Sequence, residues 1–185
     1  GTDLKWFGYG AIAVGVFAFL YLKFMGYASA RVTAWRDPAS DPAGDGYQIL
    51  QSLYAIGSGG LFGMGLGRGR QKYAFLPYPE SDFIFAVVGE DMGLVGCLLI
   101  LGLFVAFEFF AFRIALRCPD RFGSLLAGGI ACMIGVQCVL NVAVVIGLIP
   151  TTGLPLPFFS AGGTSVSIVM CAVAVLLNVA RRSGA

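Results

Sequence analysis

Histidine is absent from the 185 residues. The side chain that most often acts as a general base near neutral pH, and most often ligates metals, is therefore missing, and acid–base chemistry falls to carboxylates. Charge is also scarce, with Asp, Glu, Lys and Arg together making 12% of the chain, where a soluble domain carries about 25%. With 58% hydrophobic residues and a mean hydropathy of +0.85, the chain reads as an all-α integral membrane protein. The formal net charge is only +2, and no Lys/Arg cluster suits a phosphate backbone, which argues against nucleic acid as a partner. Five cysteines, Cys97, Cys118, Cys132, Cys138 and Cys171, show no CxxC spacing. They read as small hydrophobes, not as a disulfide or metal framework.

Long apolar runs are plentiful, and a membrane span needs about 20 such residues. Phe7 to Ala28 is the first, interrupted only by Lys23 near its end. From Ser29 to Asp45 the composition turns polar, with Arg31, Arg36, Asp37, Pro38, Asp41, Pro42 and Gly44 marking a solvated, turn-rich stretch. Gly46 to Ser58 regains a helical period, with Gln48, Gln51, Ser52 and Ala55 on one face and Ile49, Leu50, Leu53, Tyr54 and Ile56 on the other. Too short to span, it is expected to be an amphipathic helix at the interface, either packed on its neighbours or presenting its polar face to a ligand. Gly57 to Arg70, GSGGLFGMGLGRGR, matches neither the Walker spacing nor the Rossmann glycine fingerprint. Its glycines with Arg68, Arg70 and Lys72 suit either a solvated loop or an anionic partner such as a pyrophosphate or lipid headgroup.

Tyr73 to Asp91, YAFLPYPESDFIFAVVGED, brings carboxylates to a membrane boundary. Pro77 and Pro79 hold the backbone extended. Ser81 or Asp82 can then cap the helix that follows. The other reading of Asp82 is chemical, since ionisable groups at such a depth are retained for catalysis or transport. The second span is expected over Phe83 to Arg113. In a helix regular from Asp82, Glu90 lies about 80° around from Asp82 and Asp91 on the opposite side, which makes Glu90 the companion acid.

Phe122 to Ala180 holds no charged residue and is long enough for two more spans, the last from about Ser165 to Val179. Between them Gly147 to Thr164, GLIPTTGLPLPFFSAGGT, is too rich in proline and glycine for a continuous helix. Its backbone polar groups must be packed in protein or line a wet cavity, as in a re-entrant segment. It offers only hydroxyls, Ser160 among them, for hydrogen bonding. Arg113, Arg117, Arg121 and the terminal Arg181-Arg182 place two loops two spans apart on the cytoplasmic side. The large loop 29–82 and the re-entrant loop 147–164 then face outward.

LPYPESDFIFAVVGEDMGLVG resembles the LPxxxTDFIFAxxxEELG signature of the SEDS proteins (shape, elongation, division and sporulation) of the FtsW, RodA and SpoVE type. QCVLNVAVVIGLIPTTGLPLPFFSAGGTS is similar to that family's QxxxNxxVxxGLxPxTGLPLPFxSYGGSS, and GYQILQSLYAIGSGGLFGMGLGRGRQK to its large external loop. QSLYAIGSGG and SDFIFAVVGED look closer to the division and sporulation branch. The chain departs from the family pattern at Glu80-Ser81, where a His-Thr pair is usual, and at Ala161, where the family has tyrosine.

The resemblance implies a single membrane domain, residues 1–185, forming the last four helices of a fold of about ten, and hence a fragment or truncated product. It implies a peptidoglycan glycosyltransferase polymerising lipid II, an undecaprenyl-pyrophosphate-linked disaccharide pentapeptide, at the outer face of the cytoplasmic membrane. It places the catalytic aspartate at Asp82. Gln48, Gln51, Arg68, Arg70, Lys72, Ser81, Glu90 and Ser160 are the candidate substrate-binding residues. No resident metal site is expected, although a divalent cation such as Mg2+ is compatible with the pyrophosphate leaving group. The implied partner is a class B penicillin-binding protein transpeptidase. A lipid II transporter and a non-catalytic scaffold for a transpeptidase are the alternatives.

Overall fold

The computed structural model describes residues 3–24, 26–40, 45–65, 67, 82–160 and 162–183. Among them all regular structure is helical: α1 (Leu4–Phe24), α2 (Gly26–Arg36), a 3-10 turn (Pro38–Ser40), α3 (Asp45–Gly59), α4 (Ile84–Arg117), α5 (Arg121–Val145) and α6 (Gly163–Ser183). Three of these, α4, α5 and α6, are long and apolar enough to cross a membrane. The protein is a multi-pass membrane protein. The expected first span, Phe7–Ala28, falls on α1, which has 21 residues, and on the first residues of α2. The polar stretch from Ser29 is helical as far as Arg36, where composition predicted turns. Tertiary contacts explain the difference, because Arg31 and Trp35 of α2 each find a carbonyl more than a hundred residues away.

α4, α5 and α6 run up, down and up. The α4–α5 turn is short because Asp120 caps α5, its side chain accepting from Gly123 N at 3.0 Å. α5 ends where Gly147 takes a positive φ of 74°. Leu148 N then donates to Ala143 O and Gly147 N to Val144 O, a Schellman closure that satisfies two carbonyls left over at the helix end. The lower halves of α4 and α5 meet through small side chains, Ala111 and Ala115 against Ala127 and Ala131, as expected where packing rather than hydrophobic exclusion joins helices in lipid. The upper half is bulkier, with Phe85, Ile100, Phe104, Ile134, Val145, Leu156 and Val169 in one core. The outward surface is apolar, with Leu103, Val105, Phe109, Leu116, Leu125, Val139 and Ile168 all exposed.

α3 matches the expected amphipathic helix within one residue at each end. Its packed face differs from expectation: Gly46, Ile49, Ser52, Ala55 and Gly59 are buried, while Leu53 and Tyr54 are exposed. Ser52 is buried because its Oγ donates to Val145 O at 2.7 Å. Small residues on that face let α3 lie close across α4, where a Cβ on Gly59 would collide with Gly89 O.

Candidate functional site

Asp82 stands one residue before the helix-capping position of α4, which is Phe83 (φ −109°, ψ 19°) with no side-chain cap hydrogen bond. The capping alternative for Asp82 is therefore corrected: the first turn is closed by Phe83 O accepting from Ala86 N at 2.9 Å. Glu90 is not related to Asp82 by regular helical turns, because α4 begins only at Ile84. Phe83 buries its ring in the core, and this anchors the chain as it enters the helix.

α4 is broken at Gly93 (φ 65°, ψ −162°), and a stretch of the glycine-rich loop is spliced into the break. In an unbroken helix Leu94 N and Val95 N would donate to Glu90 O and Asp91 O. Here they donate to Gly60 O (3.0 Å) and Leu61 O (3.1 Å), while Glu90 O and Asp91 O accept from Met64 N (2.9 Å) and Gly65 N (3.0 Å). These four displaced backbone groups thus find partners, as a non-helical turn inside an apolar helix requires. Asp91 reinforces the splice by accepting from Gly67 N at 3.2 Å on Oδ2. Glu90 and Asp91 are both buried, at 1% and 7% exposure, so burial does not single out Glu90.

The segment 147–160 after α5 is held at both limbs. On one, Trp35 Nε1 donates to Gly147 O (2.8 Å) and Arg31 Nη1 to Thr151 O (3.2 Å). On the other, Gln137 Nε2 donates to Pro155 O (2.9 Å), and Asn141 Nδ2 donates to both Leu154 O and Asp82 O (2.8 Å each). Phe158, with a positive φ of 69°, places its ring 6.1 and 5.7 Å from those of Phe104 and Phe107. At the bottom of this arrangement a Cβ on Gly153 would lie 3.7 Å from Asp82 Oδ2, so the carboxylate faces the segment.

Of the expected site residues, Asp82 is brought beside the segment between α5 and α6. Gln48 and Gln51 are half-buried on α3. Ser160 makes a local turn, its Oγ accepting from Gly162 N at 3.0 Å. Arg68, Arg70, Lys72 and Ser81 lie outside the described residues. Gln137 and Asn141 were not singled out as site residues, yet they are two amides four residues apart in an otherwise apolar span. In lipid such a pair signals backbone carbonyls in need of donors. Among the described residues no three of Cys, Asp and Glu gather to hold a metal ion.

Residues Arg113, Arg117 and Arg121 lie at the end of the bundle opposite Asp82, and Arg182 lines a cavity there with Cys118, Asp120 and Gly123. Both cation groups therefore share one end.

Comparison with known proteins follows the same pattern. The chain is 53% identical over 157 residues to stage V sporulation protein E of Bacillus subtilis (strain 168), covering 85% of this chain and 43% of that protein. It is 44% identical over 184 residues to a probable peptidoglycan glycosyltransferase FtsW of Geobacter sp. (strain M18), covering 98% and 50%. A solved structure, described as the structural coordination of polymerization and crosslinking by a peptidoglycan synthase complex, superposes with a TM-score of 0.74 at 31% identity, covering 95% of this chain and 48% of that one. The chain spans about half the length of these relatives. Residues 1–184 match the family described as cell cycle proteins. The chain belongs to the FtsW/RodA/SpoVE family.

Proposed function

We propose that this chain carries the general base of a peptidoglycan glycosyltransferase that polymerises lipid II, acting in cell division or sporulation. The observation that carries the reading is the placement of Asp82. It is held outside the helix at the head of α4, facing the re-entrant segment, at the end of the bundle away from the basic loops. Relatives named as probable peptidoglycan glycosyltransferases supply the reaction class.

In this reading the acceptor's sugar hydroxyl loses its proton to the Asp82 carboxylate as its oxygen attacks the donor's anomeric carbon. The new C–O bond forms as the bond to the lipid pyrophosphate breaks, and the pyrophosphate leaves as an anion. Arg68, Arg70 and Lys72 are the cations of this chain suited to stabilise it. The positive-inside rule puts the basic end in the cytoplasm and Asp82 at the outer face of the cytoplasmic membrane. A class B penicillin-binding protein is the proposed partner, in keeping with the synthase complex among the structural relatives.

The test is polymerisation of purified lipid II by the full-length protein in proteoliposomes. Asp82→Asn keeps the side chain's size and removes its basicity, and is expected to lower glycan formation by about 100- to 10,000-fold at equal folded concentration. Near-normal polymer from this variant would refute the mechanism.

A further inference from the structure

We propose that Asn141 is a positioning residue for Asp82, tying it and the re-entrant segment into one unit. The proposal deepens the reading of Asp82 as general base and rests on it.

Asn141 is 1% exposed, and its side-chain nitrogen is bonded to two carbonyls from distant parts of the chain. One is Asp82 O, 59 residues away, and the other Leu154 O, 13 residues away. The amide orientation follows from this, since an acceptor in that place would face two other acceptors. Oδ1 is then turned elsewhere and is buried with no hydrogen-bond partner among the described residues, a cost accepted while both N–H groups are in use.

Asp82 precedes the capping residue Phe83, and its carbonyl accepts from Asn141. Leu154 adjoins Gly153, where a built Cβ would lie 3.7 Å from Asp82 Oδ2. One amide therefore fixes the main chain that carries the carboxylate and the wall the carboxylate faces. Removing it takes away the bond that joins the two, and a displacement of the base by about 1 Å costs on the order of 100-fold in rate.

Two readouts test this in the full-length protein. The first is geometric and independent of activity. Asp82→Cys with Gly153→Cys, oxidised with copper phenanthroline and located by peptide mapping, is expected to give a disulfide between the introduced cysteines. Adding Asn141→Ala or Asn141→Ser is expected to slow its formation at least about tenfold. The second is kinetic: either Asn141 variant, with Asp82 intact, is expected to lower kcat by about 10- to 100-fold per folded molecule while KM for lipid II is unchanged.

Gly153 has a positive φ of 70°, where a side chain is strained, so the cross-link is scored on double-cysteine protein that keeps the parent's thermal midpoint. Absence of the disulfide there, with Asn141 in place, overturns the geometry. An unchanged cross-linking rate in the Asn141 variants overturns the tether. Slowed cross-linking with normal kcat, while Asp82→Asn is inactive, overturns the positioning role alone. An active Asp82→Asn protein overturns the general-base reading, and this proposal with it.

Discussion

Gly93 holds a backbone conformation open essentially only to glycine. A Cβ there would also collide with Gly63 N and come within 2.7 Å of Leu61 C and O. These are backbone atoms of the spliced loop and cannot step aside as a side-chain end would. Gly93→Ala is therefore expected to cost more than about 3 kcal/mol, read as a large drop in thermal midpoint in detergent. Gly102, on the same helix, has nothing within 4 Å of a built Cβ. Gly102→Ala is the control and is expected to be neutral or to stabilise by up to about 1 kcal/mol. Equal effects at the two positions would show that the splice does not constrain α4.

At the scale of elements, one carboxylate is enclosed between α4 and α5. Glu108 lies against Gly135, where a built Cβ would meet its Cδ at 3.1 Å. Both its oxygens are shielded from solvent without a hydrogen-bond partner among the described residues. A sheltered carboxyl without a partner is costly, and a neutral isostere relieves part of the cost. Glu108→Gln is expected to leave the thermal midpoint unchanged or raise it, and a fall of several degrees would reveal a partner for the carboxyl. The segment between α5 and α6 is held by different means, through donors on α2 and α5. Gln137→Leu removes the donor to Pro155 O and is expected to destabilise by about 1–3 kcal/mol. Amide exchange should then rise at Leu154 and Leu156 more than in the lower halves of α4 and α5; uniform exchange would mean that the clamp is not local.

For the whole molecule the decisive quantity is orientation. Asp82 and the exposed Thr152 lie at one end, and Arg117, Arg121 and Arg182 at the other. If the basic end is cytoplasmic, an impermeant maleimide added outside intact cells should label Thr152→Cys and should not label Ser183→Cys. The reverse pattern would invert the topology and remove lipid II at the outer face from reach of Asp82. The largely exposed apolar surface of α1, including Trp6, Ile12, Phe17 and Phe19, agrees with a lipid or protein environment around the bundle.

Much of this was legible in the residues themselves. The spans follow from the length of apolar runs, α3 from its period, the end of α5 from Gly147 and Pro150, and the common end of the cation groups from counting spans. Each depends on local sequence or on the bilayer acting as solvent, so no long-range contact had to be known. Asp82 stood out because a carboxylate at the edge of an apolar run is costly and there is no histidine to share its chemistry. Which face of α3 packs, why α2 is helical, how the glycine loop enters the break at Gly93 and what Asn141 holds were decided only by the tertiary structure. All four are settled by backbone carbonyls and amides that every residue carries alike. Their partners lie from 13 to 120 residues apart, and a distant backbone group becomes a partner only once folding has removed the water that would otherwise satisfy it.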